Sequence, residues 1–178
     1  MVPRLLAISP PRTGPWVASL NELAELGVPA LLVRLVDEPD ALGVVLAAAA
    51  RTPLRVLVRP VRPGDADLAT AAGLGLHLPD IPEPTPPATT PAGALRSRSC
   101  HDPAGVETAA AAGFDLCTLA PVSPPGSKPG DTRPTLGIPG LAAACAAAPA
   151  MPVLALGGVR PAAVAPLVAA GAHGVAGI

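Results

Sequence analysis

Ala109-Ala-Ala-Ala-Gly113-Phe-Asp-Leu-Cys-Thr-Leu119 places a helix-forming alanine run, one glycine and a short β-rich stretch in immediate succession. Its order decides the fold, because it recurs. Asn21-Glu-Leu-Ala-Glu-Leu-Gly27 runs into Ala30-Leu-Leu-Val-Arg34, and Ala69-Thr-Ala-Ala-Gly73 into Leu74-Gly-Leu-His-Leu78. Val168-Ala-Ala-Gly171 likewise runs into His173-Gly-Val-Ala-Gly177. Each glycine stands where a helix C-cap requires positive φ, and each strand follows within a few residues. The glycines lie 46, 40 and 58 residues apart, which is roughly two strand–helix units per step at about 20 to 25 residues each.

The remaining strands fall between these units. Leu5-Leu-Ala-Ile8 opens the chain, and Leu54-Arg-Val-Leu-Val58 follows a helix-like Ala41–Ala50. Ala94-Leu-Arg-Ser-Arg-Ser-Cys100 and Val153-Leu-Ala-Leu156 complete the set. Strands are expected near 4–9, 29–35, 54–60, 74–79, 94–100, 115–122, 152–157 and 173–178. Strands alternating with helices of this length pair in parallel through right-handed crossovers. Eight of them favour a closed (β/α)8 TIM barrel over an open doubly wound sheet, as a single domain over 1–178. Two features make it a short form. Ile81-Pro-Glu-Pro-Thr-Pro-Pro-Ala-Thr-Thr-Pro91 stands in place of the fourth helix, and its prolines require an irregular crossing. No eighth helix follows the last strand, which predicts an apolar groove beside the first and last strands and a homodimer to cover it.

Composition excludes several classes of function. The formal net charge is -1 with 14% charged residues, too little positive charge to hold a nucleic acid backbone. Every apolar run is too short to span a membrane or to serve as a signal peptide core, so a cytoplasmic protein is expected. Cys100, Cys117 and Cys145 are odd in number and widely spaced, which argues against a disulfide framework or a zinc site. Lys128 is the only lysine among the 12 basic residues.

In a barrel, ligands are bound by the loops after the strands, with phosphates beyond strands seven and eight. Strand seven runs into Gly157-Gly158 and then Val159-Arg-Pro161, where Pro161 suits a first helical position. Strand eight ends in Gly174-Val-Ala-Gly-Ile178. A small phosphorylated metabolite is therefore the expected partner. The long loop Pro121–Thr135 carries Ser127, Lys128 and Arg133, a donor set suited to an oxyanion. Arg34, opposite in side-chain direction to Val33, is a ligand candidate because a charge at a barrel end meets an anion or a carboxylate. His77 alternates with Leu76 and Leu78 on strand four, His101 follows strand five, and His173 begins strand eight on the far side as a structural residue.

At these residues the chain resembles the thiamine phosphate synthase/TenI family over nearly its whole length. The resemblance is carried by Gly75-Leu-His-Leu78, Ser99-Cys-His-Asp102, Gly113–Val122, Ser127-Lys-Pro-Gly130, Pro152–Gly158 and Ala169–Ile178. It implies a (β/α)8 barrel, commonly dimeric, that acts on thiazole phosphate in thiamine biosynthesis. By residue, it implies thiazole-phosphate contacts at Gly157, Gly158, Ala176 and Gly177. It implies pyrophosphate contacts at Ser99, Ser127 and Lys128, and it makes Arg34 the middle residue of the synthase's Q-x-R-x-K motif.

The chain departs from both branches of that family. Leu32 and Val36 replace the Gln and Lys of the strand-two motif, and Pro63-Gly-Asp65 stands near the N-D-R motif after strand three. A synthase-like site would need Mg2+, with Asp65 or Asp67 and Asp80 as its carboxylates; no other cofactor is implied. In the tautomerase branch the acid/base histidine lies in strand six, where this chain has Pro121, so His101 or His77 would supply the base. Three readings follow: a TenI-like thiazole-phosphate protein or tautomerase, a divergent thiamine phosphate synthase, and a noncatalytic regulatory binder.

Overall fold

The computed structural model of the chain describes residues 1–10, 16–35, 39–80, 93–124 and 134–178. Its strands are β1 (Leu5–Ile8), β2 (Ala30–Arg34), β3 (Arg55–Arg59), β4 (Gly75–Leu78), β5 (Arg96–Cys100), β6 (Leu116–Leu119), β7 (Val153–Ala155) and β8 (Gly174–Gly177). The helices are α1 (Trp16–Glu25), α2 (Leu42–Ala49), α3 (Asp65–Ala71), α4 (Pro103–Ala111), α5 (Gly137–Ala147) and α6 (Val164–Ala169). Each strand pairs in parallel with its sequence neighbour, and β8 pairs with β1, so the sheet closes. All eight strands lie within the spans expected of them. The proline-rich segment lies outside the described residues. Among the described residues, no helix is long and apolar enough to cross a membrane.

The recurring glycine acts as the alternation of elements requires. At the end of α1, Gly27 takes φ +73°, its amide donates to Ala24 at 3.0 Å, and the Val28 amide donates to Leu23 at 3.0 Å. This bond pair closes a helix with a left-handed residue and aims the chain back at the sheet. The same pairs of bonds follow α3, α4 and α6, at Gly73, Gly113 and Gly171. One local device thus turns four helices into four strands.

Period-two alternation then sorts the side chains. Leu6, Ile8, Ala30, Leu32, Leu57, Leu116, Leu154 and Ala176 form one apolar cluster in the barrel interior. The alternate residues, such as Val33, Val56, Val58 and Leu76 on one side, pack against the helices. Cys117, Leu119, Val153 and Ala155 do the same on the other. Both layers are needed because a parallel sheet buries its two faces. At the closing seam Gly174 lies so near the β1 entry that an added methyl would run into the Arg4 carbonyl. The Val175 amide donates to that carbonyl at 2.9 Å. On the outer side of the seam Leu5 is 41% exposed.

Two glycine substitutions separate these effects. Gly27→Ala meets no neighbouring atom within 4 Å and should cost about 1 to 2 kcal/mol, for backbone strain alone. Gly174→Ala must push β1 from β8, and its loss in urea unfolding should be at least twice as large.

Candidate functional site

The C-terminal ends of the strands form the mouth of the barrel. There the interior positions of β2 to β5 become polar. Arg34 follows Leu32 on the inward face of β2, Arg59 follows Leu57 on β3, and His77, Ser97 and Ser99 occupy β4 and β5. Arg34 and Arg59 are register partners on adjacent strands, so two guanidinium groups leave the sheet side by side. The Arg34 amide donates to Ser9 Oγ at 3.0 Å, and the Ser9 amide donates to the Leu32 carbonyl at 2.9 Å. This fastens the end of β2 to the end of β1.

His77 is 4% exposed, and both of its ring nitrogens are occupied. Nδ1 lies 2.7 Å from Ser97 Oγ and Nε2 lies 2.9 Å from Ser99 Oγ. Ser97 Oγ in turn donates to the Leu76 carbonyl at 3.4 Å. Burial, and then the positive charge of Arg59, push the imidazole pKa down from 6.5 to about 3. His77 is therefore a neutral hydrogen-bonding ring at physiological pH. Its place in the structure is between two serines, and an acid/base role for it would have to pass through them.

His101 sits just beyond β5, where its Nδ1 lies 2.5 Å from the Ala120 carbonyl. A carbonyl only accepts, so Nδ1 carries the proton and the ring orientation is fixed by the end of β6. His173 lies at the other end of the barrel, with Nε2 3.3 Å from the Val2 carbonyl. That is the structural place expected of it.

Beyond β7, Gly157 and Gly158 take φ +94° and +61°. Both press on the segment after β6. A Cβ on Gly157 would stand 3.0 Å from Pro121 Cα, and one on Gly158 would stand 2.5 Å from the Pro124 carbonyl. The Gly157 carbonyl accepts from Ser123 N at 3.0 Å, while among the described residues no backbone carbonyl accepts from the Gly157 or Gly158 amide. Ala176 and Gly177 are differently placed. They lie inside β8 as register partners of Leu6 and Ala7, so their backbone groups belong to the sheet ladder. The Ala176 methyl is buried in the barrel interior, and a Cβ on Gly177 would meet nothing within 4 Å. β7 and β8 are in register at Ala155 and Val175; Gly157 and Gly177 each lie two residues farther on, at the same level of the mouth. Gly157 and Gly158 thus follow β7 at the end of the barrel where its neighbour β8 closes with Ala176 and Gly177.

The carboxylates expected to hold a metal have other partners. Asp65 is buried at the start of α3, and its Oδ2 accepts from the Val61 amide at 3.0 Å and the Arg62 amide at 2.8 Å. It holds the turn after β3 and does not line the mouth as a free ligand. Asp80 pairs with Arg98 at 3.1 Å, and Asp67 is exposed on α3. Among the described residues no three His, Cys, Asp or Glu side chains group as a metal site, and the inward positions at the ends of β2 and β3 are cationic. These residues do not fit a hard divalent cation, which needs well-placed carboxylates. Ser127 and Lys128 lie outside the described residues.

Three residues of the mouth escaped the sequence reading. Arg59 was visible as the second inward arginine of Arg55-Val-Leu-Val-Arg59, at the parity that singled out Arg34. Ser97 shares the parity of Ser99. Ser9 carried no signal of its own, since only the closed sheet brings it to β2.

Comparison with known proteins agrees with this fold. The sequence profile of the family described as thiamine monophosphate synthase matches residues 9–178. A thiamine-phosphate synthase of Methanoculleus marisnigri is 40% identical over 113 residues, which are 62% of this chain and 53% of that protein. The match thus spans about half the length of that relative. Thiamine phosphate pyrophosphorylase from Pyrococcus furiosus shares the fold at a TM-score of 0.75 and 20% identity, over 98% of this chain and 85% of its own.

The buried ring makes stability depend on pH. Unfolded, His77 takes up a proton near 6.5, whereas folded it does so only near 3. Stability therefore falls as pH drops through this window, and above it the titration of this group adds no pH dependence. His77→Gln removes that component, so its urea midpoint should fall less between about pH 7 and about pH 4.5 than that of the wild type.

Proposed function

Because the chain belongs to the thiamine monophosphate synthase family, we propose that its mouth binds a thiazole phosphate on the Gly157-Gly158 backbone and a second anionic group on Arg34, Arg59 and Ser99. The observation that carries this reading is the placement of Arg34 and Arg59 as register partners, on strands across the closed barrel from β7. Backbone amides in a left-handed turn suit a terminal phosphate. Paired guanidiniums suit a pyrophosphate or a carboxylate, which they bind with charge-assisted bonds. Ala176 and Gly177 let the phosphate approach the wall beside them. Ser127 and Lys128 belong to the same proposal through their match to pyrophosphate contacts of the family.

Two anionic subsites favour a reaction between two phosphorylated partners. In thiamine biosynthesis this is the joining of a pyrimidine pyrophosphate to thiazole phosphate, in keeping with the description of the relative. The glycine turn would hold and orient the thiazole phosphate. Arg34 and Arg59 would balance the charge that gathers on the departing pyrophosphate. A second reading is isomerisation of a thiazole phosphate carboxylate. It is favoured by the engagement of Asp65 and Asp80 with other partners, because that reaction needs no metal. His101, oriented by Ala120, would then be the proton-transferring group, and the guanidiniums would take the carboxylate.

Calorimetric titration in the presence of a chelator tests the shared premise. Inorganic pyrophosphate should bind without divalent cations, and Arg59→Gln should weaken it at least about tenfold. Gly158→Ala should instead weaken thiazole phosphate. Product formation from the pyrimidine pyrophosphate would select the first reading over the second, whereas pyrophosphate binding that requires Mg2+ would contradict both assignments of the arginine pair.

A further inference from the structure

Ser97, His77 and Ser99 form a chain of three hydrogen-bonding groups with only three protons to distribute. Ser97 is 0% exposed and His77 4%, so water does not complete the set from the inner side. With Ser97 Oγ–H donating to the Leu76 carbonyl at 3.4 Å, the Ser97 oxygen must accept from His77 Nδ1–H at 2.7 Å. The neutral ring then has only a lone pair at Nε2, and Ser99 Oγ–H must donate to it at 2.9 Å. In this direction every proton is placed, and Ser99 has none left to offer outward.

A phosphate or carboxylate oxygen at the mouth can only accept. For Ser99 to bind one, its proton must turn outward, and the whole chain must reverse: Nε2–H donates to Ser99 and Ser97 Oγ–H donates to Nδ1. The only contact given up is the long one to Leu76.

We propose that Ser97, His77 and Ser99 are a hydrogen-bond polarity switch, in which an oxyanion at the mouth selects the reversed direction and the histidine changes tautomer. This rests on the reading of the mouth as an anion site and deepens it. His77 stays neutral in both directions, because its burial and the nearby Arg59 oppose protonation. His77 and Ser97 are positioning residues; neither touches the ligand. The switch delivers a directed hydroxyl donor to a bound oxyanion and withdraws that donor when the anion leaves. In each change the ring gives one proton to water and takes one from water during transient opening of the mouth, so the count of three is kept.

The test uses the uniformly 15N-labelled full chain, titrated with inorganic pyrophosphate and followed by long-range proton–nitrogen spectra. Without the anion the His77 ring should report a proton on Nδ1, and at saturation a proton on Nε2, with no imidazolium in either state. Backbone amide shifts at Arg34 and Ser99 report binding in the same samples. Binding with an unchanged tautomer, or with a charged ring, overturns the switch and leaves the anion site standing. Absence of binding overturns both. In Ser97→Ala the Nδ1–H loses its acceptor, so the ring should carry its proton on Nε2 before pyrophosphate is added and keep it there at saturation. Ser97→Thr should restore the change of tautomer. An Ala variant whose ring still changes tautomer on binding would also overturn the switch.

Discussion

The ladder that closes β8 onto β1 fixes where every strand end lies, because a closed parallel sheet leaves no strand free to slide in register. Leu6 faces Ala176, Ala7 faces Gly177, and the Val175 amide bonds to Arg4. The bare Gly174 lets the two strands meet this closely. Once that seam is set, β7 is held at the level where Gly157 stands beside Gly177. Arg34 and Arg59 are held on the opposite side of the ring. The form of the mouth follows from the closing geometry as much as from the residues in it.

The interior shows how one alternation serves stability and chemistry in turn. Leucines fill the middle of the barrel, and the next inward positions on β2 to β5 are arginine, histidine and serine. A buried histidine is tolerable only if it is uncharged and its nitrogens are bonded. The two serines satisfy the second condition; burial and Arg59 satisfy the first. The same conditions remove His77 as a cationic acid and leave it as a relay between hydroxyls. On the helix-facing side the buried polar group is Asp65, which is satisfied by two turn amides. That engagement is why the expected carboxylates assemble no metal site among the described residues.

Much of the fold was legible because its signal is local. A helix-closing glycine needs only its own helix and the next residue, and Gly27, Gly73, Gly113 and Gly171 all take the conformation that their place in the sequence requires. The inward direction of Arg34 and His77 was equally readable, from simple alternation with Val33, Leu76 and Leu78. The site was less legible where it depends on contacts across the sheet. Nothing near Ser9 in the sequence announces its bond to Arg34. The amide partners of Asp65 are set by a turn, and the placing of Ala176 and Gly177 inside the ladder depends on where β8 ends. Family motifs pointed to the ends of β7 and β8, while the ladder of β8 shows which of these backbone groups are already part of the sheet.

The account stands on a dianion resting against the turn after β7. A crystal structure of the full chain with thiazole phosphate measures this directly. The account predicts the phosphate within hydrogen-bonding distance of the Gly157 and Gly158 amides, against the smooth edge formed by Gly177. A phosphate found instead on Arg34 and Arg59, with the glycine amides bonded elsewhere, would contradict it.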